Sequence, residues 1–286
     1  MTVGFSSVGE YAEALAGGRN HFCSIRKVPT QATVAGWWAD LSMAAGNPRP
    51  NYYASDPLAA AVLDPYDGIF HGPDQSPSEK YLAHLGLVTP TAGLVGQYKL
   101  LDYVLYYPFV DGDDTDVQVM DNSVVLPRYE DGEGVMVMAV AVAPSTGGGS
   151  FTFEYVSQDG VTRTSPAQVC STTAAGITSL ASSQPAVAGS AGAPFLTLAS
   201  GDTGVRSITS VQFSVPNGGL LSLVLVQPLA DIAIREINTM SQMEWVTMRS
   251  APPRILDGAY LNLIVNCAAT IVGSLAGYAD FVWSDD

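Results

Sequence analysis

Charge is what this sequence has least of. Charged residues fill 14% of its 286 positions, against about 25% in an average soluble domain. Bases are the scarcer sign: 12 lysines and arginines stand against 27 acids, for a formal net charge of −15. Binding to nucleic acid draws on a basic face that releases counterions, so direct contact with DNA or RNA is disfavoured. An anionic membrane surface is disfavoured for the same reason. Cysteine is also scarce. Cys23, Cys170 and Cys267 are three in all, odd in number and far apart. They imply neither a disulfide framework nor paired metal spacing, and buried thiols in a reducing cytoplasm are expected. The first fifteen residues carry no basic n-region and no apolar h-region, so no secretory signal is read there. The nearest approach to a membrane span, residues 259–277, holds Asn262, Asn266 and many small or β-branched residues. It reads as two buried strands with a turn.

Catalytic patterns are missing too. The sequence has no phosphate-binding P-loop, no nucleophile elbow and no zinc-protease helix pattern. Its three histidines, His21, His71 and His84, are expected to be satisfied loop or core residues. No cofactor is expected, and the chain is read as non-enzymatic.

Hydrophobic residues make up 47%, so a large core is buried. A protein with that much core and so little charge has little solvated surface to show, which favours life inside an assembly. The local patterns are mainly those of strands. Residues 100–110 are rich in aromatic β-formers and should be ended or kinked by Pro108. Residues 134–143 form a long apolar run, as in a strand covered on both faces. Residues 151–156 alternate, placing Phe151, Phe153 and Tyr155 on one face. Gln158-Asp159-Gly160 marks a hairpin turn. Residues 205–215 alternate again, Asn217-Gly218-Gly219 turns the chain, and residues 220–226 return as the partner strand of a hairpin. Two helices are expected. One starts at Ser6 or Ser7, carries Val8, Tyr11, Ala12 and Leu15 on one face, and stops at Gly17-Gly18. The other is capped by Ser76-Pro77-Ser78-Glu79, buries Tyr81, Leu82 and Leu85, and ends at Gly86. Residues 171–192, rich in Ser, Ala and Gly, read as a flexible loop or linker.

The expected fold is therefore mainly β: an antiparallel β-sandwich or jelly-roll-like architecture with a short N-terminal helix and long loops. The organisation expected is an N-terminal helical arm over 1–19, an irregular loop-rich β region over 20–133, and an antiparallel sandwich region over 134–286. The last two can form one continuous domain.

The remaining chemistry lies in clusters. Asp111, Asp113, Asp114 and Asp116 invite a cation reading, since hard cations want grouped carboxylates. The EF-hand spacing fails, so Asp111, Asp113 and Asp116 stay weak metal candidates and a solvated acidic loop is expected. Such a loop could steer a basic partner. Asp64 and Asp67 beside Tyr66, with Trp37-Trp38 as stacking rings, raise a carbohydrate-binding module or glycoside hydrolase as an alternative. One of those tryptophans is expected in the core and the other at the surface or an interface. Only Lys27, Lys80 and Lys99 are lysines, and the other bases are arginine, the residue favoured at interfaces. Tyr11, Leu15, Trp37, Trp38, Arg128 and Arg254 are the partner-contact candidates.

A set of short motifs then carries a resemblance. They are Trp38-x-Asp40-Leu41-Ser42, Gly68-Ile69-x-His71-Gly72, Asp102-Tyr103-x-x-x-Tyr107-Pro108, Leu126-Pro127-Arg128-Tyr129 with Gly132-x-Gly134-Val135, Gly201-Asp202-x-Gly204-Val205-Arg206-Ser207, and Pro253-Arg254-Ile255-x-Asp257-Gly258-Ala259. In this order, from Trp37 to Ala259, the chain resembles a group of virion structural proteins of tailed bacteriophages. The resemblance implies no catalytic residues. It implies incorporation into a particle assembled in the bacterial host cytoplasm, with other virion proteins as partners, foremost the major capsid protein, and a homo-oligomer. The expectation drawn from it is a capsid decoration or cement protein, with a tail, adaptor or baseplate component as the alternative.

Overall fold

A computed structural model of the chain describes residues 4–5, 7–30, 35–170, 176–184, 192–245, 251–267 and 269–284. Among the described residues the one α-helix, α1 (Val8–Ala16), is capped by Ser7, whose side chain accepts the Glu10 amide at 3.2 Å, and it stops at Gly17. The strands follow in chain order. In the first half they are β1 (Asn20–Val28), β2 (Trp38–Asp40), β3 (Ala45–Asn47), β4 (Lys80–Val88), β5 (Gly96–Asp111), β6 (Gln118–Val119), β7 (Met136–Ala143) and β8 (Ser150–Ser157). In the second half they are β9 (Thr162–Thr164), β10 (Gln168–Val169), β11 (Val205–Phe213), β12 (Leu220–Ile234), β13 (Ser241–Glu244), β14 (Arg254–Ile255), β15 (Leu261–Cys267) and β16 (Leu275–Trp283).

The strands build three antiparallel sheets. The terminal sheet runs β13-β4-β16-β1-β3, with β14 beside β4. The central sheet runs β2-β15-β5-β12-β7. The distal sheet runs β10-β8-β11-β6, with β9 beside β8. Strands from both sides of residue 133 occur in every sheet.

The long pair β5–β12 organises the molecule, in register from Leu220↔Asp111 to Ile234↔Gly96. Side chains of a strand alternate between faces, and here three cores meet on one pair. Tyr98, Leu100 and Ile232 pack with Ile25, Leu82, Leu85 and Phe281 against the terminal sheet. Leu105, Tyr107, Leu223 and Leu225 pack with Phe151, Phe153, Ile208 and Phe213 against the distal sheet. The opposite face turns Leu101, Tyr103, Val224 and Val226 into the concave side of the central sheet, with Trp38, Tyr53, Met138, Leu180 and Tyr260. Pro108 sits where β5 is bulged: Pro108 and Phe109 together face only Ser222, between the pairs Leu221↔Val110 and Leu223↔Tyr107. An extra residue on one strand bends it, so the expected kink is present.

The central sheet curls into a half-barrel, and residues 178–181 bridge its open side. Asp40 N donates to Thr178 O (2.8 Å) and Leu180 N to Trp38 O (2.9 Å) on the β2 side. Ala141 N donates to Ser179 O (2.9 Å) and Ala181 N to Ala139 O (2.8 Å) on the β7 side. Thr178, Ser179, Leu180, Ser182 and Ser183 are buried. This corrects the linker reading for residues 176–184: small polar side chains there suit a tight seam whose backbone bonds to both β2 and β7. Residues 171–175 and 185–191 of that expectation lie outside the described residues.

Other expectations are corrected as well. Residues 80–86, expected in the second helix, belong to strand β4 instead. Leu82, Leu85 and Leu87 face the main core, while Tyr81 and Ala83 face α1. A strand covered on both faces loses its alternation and mimics a helical pattern. Strands β11 and β12 exist but do not form a hairpin. They belong to the distal and central sheets and face each other across the core. The Asn217–Gly219 turn is anchored to its neighbours instead, through Asn217 N to Gly112 O (2.7 Å), Gly112 N to Gly219 O (3.0 Å) and Thr146 N to Asn217 O (2.9 Å). Trp37 and Trp38 are both buried, at 3% and 5% exposure, so neither is the surface ring expected. The strands expected at residues 151–156 and 134–143 are present as β8 and β7, with the hairpin turn at Gly160 in place.

Burial on this scale forces internal satisfaction of polar groups. Asp102 is fully buried and takes a two-pronged bond from Arg128 (Nε to Oδ2 2.9 Å, Nη2 to Oδ1 2.7 Å), and Tyr260 N donates to it at 3.0 Å. Burial pushes the Asp102 carboxyl upward and Arg128 pulls against it. Arg128 Nη1 also reaches Gly258 O at 2.7 Å. Asp40 accepts from Tyr53 and Tyr103, each at 2.7 Å, and from Ser42 N at 2.9 Å. Lys27 Nζ is spent on the carbonyls of Ala44 (3.2 Å) and Pro48 (2.9 Å), and burial lowers its pKa to about 8. His71 Nε2 lies 3.0 Å from Ala259 O, which can only accept, so Nε2 carries the proton. Its Nδ1 is then the acceptor for Lys80 Nζ at 2.9 Å.

Two predictions follow from these staples. Arg128→Ala leaves a buried carboxylate unpaired and should cost about 3–5 kcal/mol, whereas Arg254→Ala, at an exposed pair with Glu79, should cost under about 1 kcal/mol. Urea denaturation checks both, and equal losses would contradict the assignment. His71 is lowered from 6.5 to about 4, first by burial and then by Lys80. The unfolded chain therefore binds the proton more tightly across that window, and stability should fall as pH drops from about 6.5 to about 4, by up to about 3 kcal/mol. His71→Gln should flatten that limb. Identical slopes for both proteins would exclude His71 as its source.

Candidate functional site

Five of the six partner-contact candidates turn inward. Tyr11 and Leu15 are half-buried where α1 packs on Tyr81, Ala83 and Val282. Trp37, Trp38 and Arg128 belong to the interior described above. Arg254 alone offers an exposed side chain, 55% accessible and paired with Glu79 at 3.0 Å.

The outer face of the distal sheet carries exposed apolar side chains at Val117 and Val119. The inner face of β8 points Phe151, Phe153 and Tyr155 into the core, so alternation sends Thr152, Glu154 and Val156 outward. Register extends these into rows. Val119, Ser210, Glu154 and Thr164 lie side by side across four strands. Gln212 and Thr152 form the next row, with Val117 one step before Gln118 at its end. Ser207, Val156 and Thr162 form the row on the other side. Glu154 is the single charge on these rows. Val119 is 68% exposed, and Val117, Val124 and Val125, near it in sequence, are exposed too. A face of Val, Thr, Ser and Gln with one charge is cheap to dehydrate, since few strongly hydrated groups lose water on contact.

The acidic loop borders this face, tied to it by Gln212 Nε2 to Thr115 O at 3.3 Å. Its carboxylates brace the loop itself. Asp111 Oδ1 accepts Asp113 N and Asp114 Oδ1 accepts Asp116 N, each at 2.9 Å, and Asp113 Oδ1 accepts Gly218 N at 2.9 Å. Among the described residues no group of three or more His, Cys, Asp or Glu is placed to hold a metal ion. That includes Asp111, Asp113 and Asp116. The loop stands as a fixed negative rim.

The nucleophile and proton-transfer candidates are dispersed. His21 sits edge-on to Phe70 at 4.9 Å, and burial lowers its pKa. His84 lies 3.7 Å from Asp280 and 3.8 Å from Glu244 on the terminal sheet. His71 is held in its buried pair with Lys80. Burial pushes the Cys170 thiol up to about 12 and raises that of half-buried Cys23, the opposite of an activated thiolate. The side chain of Cys267 lies outside the described residues.

The outer face escaped sequence reasoning because its members are ordinary β-formers. The usable signal was the alternation in residues 151–156, which marks Thr152, Glu154 and Val156 as the face opposite the aromatics. No family model, curated protein or solved structure matches the chain.

Val119→Lys should leave stability within about 0.5 kcal/mol, as for an exposed position. Phe153→Ala, on the other face of the same sheet, should cost about 3–5 kcal/mol. Thermal melts of the two variants decide it. A large loss from Val119→Lys would mean that the face is covered by the chain's own residues.

Proposed function

We propose that this chain is a non-enzymatic structural component of a tailed-bacteriophage virion, one that binds and stabilises the capsid shell as a decoration or cement protein. The observation that carries the reading is the outer face of the distal sheet: rows of Val, Thr, Ser and Gln with Glu154 as the one charge, bordered by a fixed acidic loop. Such a face loses little hydration on contact, and the acidic rim orients it against a neighbour with basic groups at the matching edge. The motifs behind the resemblance support the reading in a second way. Asp40, His71, Asp102, Arg128 and Asp257 are used up in internal bonds, which suits a rigid part whose work is mechanical. Many copies around the symmetry axes of a shell would each contribute a modest contact and together resist outward pressure.

Quantitative mass spectrometry of purified particles tests the proposal, comparing copies of this chain with copies of the main shell protein. Comparable abundance is the expected result. A few copies to some dozens per particle would move the protein to the tail, the portal or a vertex. Complete absence from particles would overturn the virion reading.

A further inference from the structure

We infer that a second, independent site on this chain binds neutral saccharides, in an open-sided cleft between the segments 49–54 and 63–67. The cleft has a volume of about 370 Å³ and is lined by Arg49, Asn51, Tyr52, Asp64, Asp67 and Tyr260, among others. That volume falls within the range of small-ligand sites.

The lining has the chemistry a sugar ring demands. A pyranose presents an apolar C–H face and a rim of hydroxyls that both donate and accept. Tyr52 supplies an exposed ring in the wall, 60% accessible, against which the C–H face can lie. Asp64 and Asp67 supply fixed acceptors. Asp64 Oδ1 receives Tyr66 N at 3.0 Å as the cap of the short 3₁₀ turn Pro65–Asp67, and its Oδ2 enters no hydrogen bond among the described residues. Asp67 is held by Arg49, whose guanidinium is itself a donor at the rim. Asn51 Oδ1 accepts Tyr53 N at 3.1 Å. Beyond Asp67 the aromatic surface continues: Tyr66, 73% exposed, stacks on Phe70 at 5.7 Å. A chain of sugars could follow that run.

The same features exclude other ligands. Two carboxylates against one arginine, on a chain of net charge −15, repel sialylated, sulfated or phosphorylated glycans. Hydrolysis is not implied, because Asp67 is committed to Arg49 and Asp64 to capping. The buried Trp37 and Trp38 take no part, and Tyr52 fills the stacking role that the sequence pattern had given to them.

A glycan array holding neutral and acidic oligosaccharides, followed by calorimetric titration with the strongest neutral binder, tests the site. The wild-type chain should bind neutral glycans selectively, and Tyr52→Ala and Asp64→Asn should each weaken binding about tenfold or more with unchanged thermal melts. Val119→Lys, on the distal sheet, should bind as wild type does. Absence of any neutral binder up to about 10 mM, preference for acidic glycans, or retention within about twofold in both cleft variants would each overturn the inference. None of these outcomes depends on whether the protein is found in particles.

Discussion

The pairing of β5 with β12 is the constraint on which the rest of the structure depends. Most of both strands is covered on both faces, by the terminal sheet over one half, by the distal sheet over the other, and by the concave side of their own sheet opposite, while Asp231 and Ala233 of β12 reach solvent. Water is excluded from all three contacts. Apart from a few atoms such as Ser222 Oγ, which has no partner among the described residues, the polar groups that the chain brings there find a partner inside the protein. Asp40, Asp102 and Lys27 do so with residues or carbonyls from distant segments, and so does the His71–Lys80 pair. These bonds also fix where loops leave the sheets. Lys27 holds residues 44–48, and Arg128 ties residue 258 to β5. A chain so restrained has a rigid surface, which is what both a docking face and a preorganised cleft need.

The sequence made some of this legible and concealed the rest for physical reasons. Alternation exposed β8, and continuous hydrophobicity exposed β7, because those signals are local. The bulge at Pro108 was legible too, since a proline cannot donate to a ladder. Strand partners were not legible. Asn217-Gly218-Gly219 looks the same whether it closes a hairpin or carries the chain between two sheets, and only contacts from Gly112 and Thr146 select the second. Strand β4 was read as a helix because burial on both faces erased its period. The inner arginine, Arg128, and the outer one, Arg254, share the same Pro-Arg context, and their separate fates are decided by Asp102, which lies elsewhere in sequence. Asp64 and Asp67 stood out in the sequence beside Tyr66, but Tyr52, which lines the same cleft, lies too far away in sequence to be read with them.

The account that emerges is of a stiff β scaffold that offers chemistry at its surface rather than in its interior. Some of its acids are buried and hold the fold, while others are exposed, including those of the acidic loop beside the distal face and Asp64 of the cleft. The scarcity of charge is thereby explained on two levels: inside, because cores tolerate only paired charges, and outside, because a contact face with few charges loses little on dehydration.

The most direct test of the central claim is hydroxyl-radical footprinting of side chains in the free protein and in assembled particles. The account predicts that Val117, Val119, Val125 and Gln212 lose reactivity on assembly while exposed residues of the terminal sheet, such as Phe22, keep theirs. Unchanged reactivity across the distal face, with protection elsewhere, would contradict it.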